Sequence, residues 1–87
     1  MKTQIAHALG AARAAIPLAA SHTEAQRAFG LFSAEHSKLK AAGQTTEAAE
    51  LRAWMAEQLL ALSRADGIGS LRSELHGYID AAQALGR

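Results

Sequence analysis

His7, His22, His36 and His76 are the only soft metal ligands in a chain that contains no cysteine. A metal site on one helix needs two ligands one turn apart, at i, i+3 or i, i+4, so that both leave the same face. No two of these histidines have that spacing, and no HExxH sequence occurs. Glu35 and His36 are adjacent and therefore diverge around a helix. A metal would need ligands converging from separate helices, which no spacing here indicates. No metal and no cofactor is expected.

Nucleophilic chemistry has no better footing in the sequence. Ser21, Ser33, Ser37, Ser63, Ser70 and Ser73 lack the elbow context that exposes a catalytic serine, and none is paired with a His/Asp pattern. The carboxylates are scattered, with no pair that divides into acid and base. Gly67-Ile68-Gly69-Ser70 precedes a helical stretch and could turn N–H groups towards an anion. It has neither the Walker pattern nor GxGxxG after a strand, and it reads as a turn. The chain is not expected to be an enzyme.

The elements that would position any site are helical. About a quarter of the residues are Ala, Val is absent, and aromatics make up 5%. Ala is the best helix former, whereas a sheet wants the β-branched and aromatic residues missing here. The expected fold is all-α, a compact four-helix up-down bundle over residues 1–87, with two stacked helical hairpins as the alternative.

Thr45 to Ala65 carries the longest helical pattern. At about 100° per residue, Ala48, Leu51, Met55, Leu59 and Leu62 fall on one stripe, with Trp54 at its margin and Gln58 near its middle. Thr45 or Thr46 is the expected N-cap and Gly67 the stop. Leu60 lies opposite the stripe, beside Ala53 and Ala56.

The first helix is expected over Lys2–Ala15, with Ile5, Ala8, Leu9, Ala12 and Ile16 on its stripe. Its other face holds His7, Gly10, Ala11 and Ala14, small enough for a second helix to approach closely. Pro17 breaks the pattern, so Ile16–Ala20 reads as a connection. Ser21-His22-Thr23-Glu24 matches a capping box and predicts a second helix over His22–Ala42. Ala25, Phe29, Phe32, His36 and Leu39 form its stripe, and Leu31 lies on the far side near Lys38. His36 is expected in the core or at its margin, satisfied by a hydrogen bond. Gly30 suggests a close neighbouring backbone, and Gly43 ends the helix. Ser70 is the candidate cap of the fourth helix. Its seam, Ile68, Leu71, Leu75, Tyr78, Ala82 and Leu85, is widened by Ile79 and is expected to pack inside the domain. Gly86-Arg87 is expected to fray.

Net charge is +1, too balanced to select a partner. Residues 1–42 carry five basic side chains against two acidic, and residues 43–87 four against six, which suggests complementarity between the halves. For nucleic acid, Leu60 to Ile79 can be forced onto a helix-turn-helix, but Arg72 is the only base early in its second helix. Nucleic acid is therefore disfavoured. No apolar run approaches the ~18–20 residues of a membrane span. Leu18-Ala19-Ala20 loosely resembles a signal cleavage site, but His7 and Arg13 interrupt the apolar region before it. A cytoplasmic protein that does not engage membranes is expected.

By elimination, the expected function is a non-enzymatic protein–protein interaction module. Adaptors, chaperones, regulators and phage- or mobile-element-type inhibitors all fit; a small nucleic-acid-binding domain is the alternative. The partner is another protein, with a homodimer as one form. Candidate contacts are His7, Ala11 and Ala14 on the first helix, Leu31 with Lys38, and Leu60 with Arg52 and Ala56. Trp54 is a candidate anchor, since Trp is enriched at interface hot spots.

Overall fold

A computed structural model describes residues 2–15 and 18–85. The four expected helices are present: α1 (Lys2–Ala14), α2 (Leu18–Ala41), α3 (Thr45–Ser63) and α4 (Leu71–Ala84). The expectations for Ile16, Pro17 and the Gly86-Arg87 end lie outside the described residues.

Cross-helix pairs set the topology. Along α2, His22 meets Glu74 and Phe29 stacks on Tyr78, so α2 and α4 run parallel. Lys2 of α1 lies over Trp54 of α3, and later residues of both helices line a shared groove, so these two also run parallel. The result is an up-down bundle. α1 pairs chiefly with α2 and α4 with α3, so two hairpins remain recognisable within it. α2 touches all three other helices, while α1 and α4 do not touch each other.

The core follows the sequence stripes. Ile5, Phe32, Met55, Leu59, Leu71 and Leu75 are fully buried. Ala8 and Ala12 of α1 and Ala25 and Ala28 of α2 are also buried, so small side chains occupy the seam of the first hairpin. The α4 seam packs inward as expected, from Ile68 to the half-buried Leu85.

The helix ends depart from the sequence reading. α2 begins at Leu18, ahead of the capping box, because Leu18-Ala19-Ala20 are strong helix formers and carry the helix through Ser21. Ser21 is buried, and its hydroxyl donates to the carbonyl of Ala15 at 3.1 Å instead of accepting an N–H. The cap of α3 is Gln44, not Thr45 or Thr46, and no side chain serves it. The connection is instead organised from the end of α2, whose last carbonyls are satisfied by backbone groups. The Gln44 N–H reaches the Leu39 carbonyl at 2.9 Å and the Gly43 N–H reaches that of Lys40 at 3.1 Å, the paired bonds of a Schellman turn. Gly43 supports them with φ +76°. Ser70 precedes α4 but makes no capping hydrogen bond.

A packing expectation is also corrected. A Cβ at Gly30 or Gly10 would meet nothing within 4 Å, so neither glycine admits a neighbouring backbone. Gln58, near the middle of the stripe by phase and expected either to bond a neighbouring helix or to lie at a margin, is half-buried at the margin between α1 and α3.

His36 is buried, 2% exposed, against the Phe32 ring with centroids 5.8 Å apart. The expected hydrogen bond is missing at Nε2, which has no partner among the described residues. Burial, then the charges of Arg52 and Lys40, push its pKa below the ordinary 6.5.

Two outcomes follow from these features. Gly43→Ala should cost about 1–2 kcal/mol, because the left-handed conformation is strained while space for the methyl group is open; chemical denaturation measures it. For His36, the unfolded chain takes up the proton first as pH falls. Its contribution is complete above about 6.5 and declines below that value. Urea midpoints of the wild type should fall relative to those of His36→Leu between neutral pH and pH ~5. Parallel pH profiles for the two proteins would contradict this role.

Candidate functional site

The first candidate surface is a groove of about 320 Å³ between α1 and α2. Thr3, Gln4, His7 and Ala8 line one wall; Glu24, Arg27 and Leu31 line the other. The antiparallel packing of α1 on α2 places these segments opposite each other. Leu31 is half-buried against the core and forms, with Ala8, an apolar floor. His7 and Arg27 are exposed at the rim. The groove can therefore receive an apolar side chain, with room for an acidic group only on the Arg27 side, away from Glu24.

The groove unites two residues that the sequence reading assigned to separate surfaces, His7 and Leu31. Lys38 lies two turns beyond Leu31, ~10 Å along the helix, and does not line it. Ala11 is half-buried and Ala14 exposed, and neither belongs to it. Arg27 and Glu24 were missed. The signal for them is the run Glu24, Arg27, Leu31, spaced by three and four along one stripe of α2.

The second candidate surface is the outer side of α3. Leu60 is 38% exposed, as its phase requires. Arg52 and Ala56 are half-buried beside it, while Ala53 and Glu57 are exposed. Trp54 is half-buried against the core, with the Lys2 ammonium 5.7 Å from its ring centroid, a cation–π contact between α1 and α3. A narrower groove between these helices, about 200 Å³, is lined in part by Arg13, Gln58 and Ala61.

A polar cluster joins the start of α2 to the start of α4. The Ser70 hydroxyl lies 3.3 Å from His22 Nε2, and His22 Nδ1 lies 2.8 Å from Glu74 Oε2. The Tyr78 hydroxyl donates to Glu74 Oε1 at 3.1 Å. Glu74 Oε2 makes no hydrogen bond of good direction despite its short distance to Nδ1. Forty-eight residues separate His22 from Ser70, and no local spacing announces their meeting.

Among the described residues, no three His or carboxylate groups gather into a metal-binding set, and no helix is long and apolar enough to cross a membrane. Comparison of the chain with protein-family models, curated proteins and solved structures finds no match in any of the three.

Tyr78 offers a direct check on the polar cluster. Burial first, then the charge and hydrogen bond of Glu74, raise its pKa above the ordinary 10.0. Because the chain has a single Tyr, tyrosinate absorbance reports this group alone. Its titration midpoint should lie above 10.0, and Glu74→Gln should lower it. An unchanged midpoint in Glu74→Gln would place the carboxylate away from the phenol.

Proposed function

We propose that the chain is a protein-interaction module that receives an acidic, knob-bearing helix in the α1–α2 groove. One observation carries this reading: the hairpins have opposite charge that is not neutralised within the molecule. Over residues 2–42, five basic side chains stand against two acidic, a net +3. Over residues 43–87, four stand against six, a net −2. The expected complementarity between halves would bring Lys or Arg to Asp or Glu across the hairpins. No such pair lies within 4.0 Å among the described residues, where His22–Glu74 is the one ion-pair contact. The two signs instead face solvent on separate hairpins. Segregated charge of this kind steers association and fixes orientation more than it adds affinity.

A second copy of the chain meets the requirement. The outer side of α3 presents Leu60 as an exposed knob, with the exposed Glu57 one turn before it. Leu60 fits the Ala8–Leu31 floor, and Glu57 then faces the Arg27 rim. A small adaptor or regulator works through such surfaces, and a chain without cysteine fits the reducing cytoplasm. The nucleic-acid alternative is weakened by Arg72. Its guanidinium donates to the Ser63 carbonyl at 2.9 Å and the Ala65 carbonyl at 3.3 Å, which ties down the base that a helix-turn-helix reading needs.

Light scattering on a sizing column tests the proposal. Mass should rise over about a hundredfold range of concentration. Leu60→Asp and Arg27→Glu should each weaken association at least about tenfold, the loss of a hot-spot contact, with helical circular dichroism unchanged. A mass fixed at one chain throughout would overturn self-docking. Loss of helicity in Leu60→Asp would show that Leu60 supports the core.

A further inference from the structure

We infer that Ser70, His22 and Glu74 form an acyl-transfer centre for small activated esters, with Ser70 Oγ as the nucleophile. This goes beyond the interaction reading and does not rest on it. The order of groups is the one nucleophilic catalysis uses: a hydroxyl beside one imidazole nitrogen, and a carboxylate close to the other. Here Ser70 Oγ is 3.3 Å from Nε2, and Glu74 Oε2 is 2.8 Å from Nδ1.

The fold holds the three groups from two elements. Ser70 and Glu74 are four residues apart at the start of α4, so both face the same side, towards His22 in the first turns of α2. Tyr78, one turn further along, donates to Glu74 Oε1 and fixes the carboxylate. Glu74 Oε2 lies 2.8 Å from Nδ1 without a hydrogen bond of good direction, so Glu74 acts on the imidazole by its charge, which favours the tautomer with the proton on Nδ1 and Nε2 as the free base. Ser70 itself is exposed, and its approach is bordered by Leu18, 37% exposed, whose Cδ2 lies 3.4 Å from where a Cβ on Gly69 would sit.

The chemistry balances without any further reagent than water. Oγ adds to the ester carbonyl carbon as Nε2 takes its proton. The bond to the leaving alcohol breaks, and Nε2 returns the proton to that oxygen, leaving acyl-Ser70. Water then adds to the acyl carbon, giving its proton to Nε2; Ser70 is released with that proton, and a carboxylic acid departs.

The same geometry limits the substrate. The first N–H groups of α4 are engaged, Leu71 with the Ile68 carbonyl and Arg72 with the Gly69 carbonyl. They are not free to stabilise an oxyanion, and one such donor is worth about 10²–10³ in rate. Amides and alkyl esters therefore lie outside its reach. Aryl esters and thioesters of short acyl chains, with good leaving groups, lie within it.

The test uses nitrophenyl acetate on the full chain. Trapping at low pH and mass spectrometry of the peptide 65–72 should find acetyl on Ser70. Ser70→Ala and His22→Ala should each lower the release of nitrophenolate about a hundredfold, the lower range for a positioned base. Glu74→Gln should lower kcat about tenfold and leave KM unchanged, with unaltered circular dichroism. Nitrophenolate release by Ser70→Ala at the wild-type rate, or acetyl found on Lys or other His and not on Ser70, would overturn the inference. The single-atom change Ser70→Cys keeps it falsifiable should Ser70→Ala lose its fold: acetyl should then appear on the new thiol, and its absence counts against the centre.

Discussion

Burial of α2 against every other helix is the constraint from which the remaining structure follows. The core is chiefly aliphatic, and a small set of aromatic groups adds directional contacts to it. Phe32 is fully buried, and Phe29 joins it to Tyr78 with centroids 5.6 and 4.8 Å apart. Such pairs contribute about 0.5–1.5 kcal/mol beyond their buried area, and their geometry is more restrictive than contact between Ala methyl groups. They set the height at which α4 lies along α2. The partners of His22 are set at the same time, since Tyr78, Glu74 and Ser70 descend α4 in single turns.

The same spine divides the surface. α1 covers one side of α2 and creates the mixed groove; α4 covers another and creates the polar cluster. α3 closes the core while its outer side remains in solvent. Each candidate surface therefore lies beside a different helix pair, and their chemistry differs accordingly. The groove is an apolar floor with charged rims, suited to holding a side chain. The cluster is a set of polar contacts between two helix starts with little enclosing wall.

Helices and core stripes were legible because apolar periodicity survives whatever the partners are. Phe32, Met55, Leu59 and Leu75 were all placed inward by phase alone. Ends were less legible, since several weak preferences compete there. The capping box at Ser21 was a sound local signal, yet helix propagation from Leu18 outweighed it. At α3 the helix starts one residue before the Thr hydroxyls could cap it, directly after the Gly43 turn that closes α2. His36 was read inward correctly, but whether its nitrogen would find a partner depended on side chains from other helices. For the candidate sites, His7, Leu31 and Leu60 could be picked out singly by phase. That His7 and Leu31 share a groove, or that His22 reaches Ser70, is fixed only by how helices dock. No residue spacing encodes that directly.

The lone Trp and the lone Tyr stand at different seams, Trp54 under Lys2 between α1 and α3, and Tyr78 on Phe29 between α2 and α4. This turns the molecule into its own two-channel optical gauge. Indole emission follows the detachment of α1, and phenol signals follow the parting of α4 from the spine. Both seams lie between the hairpins, so coincident changes mark a single cooperative parting, whereas divergence shows one seam opening before the other.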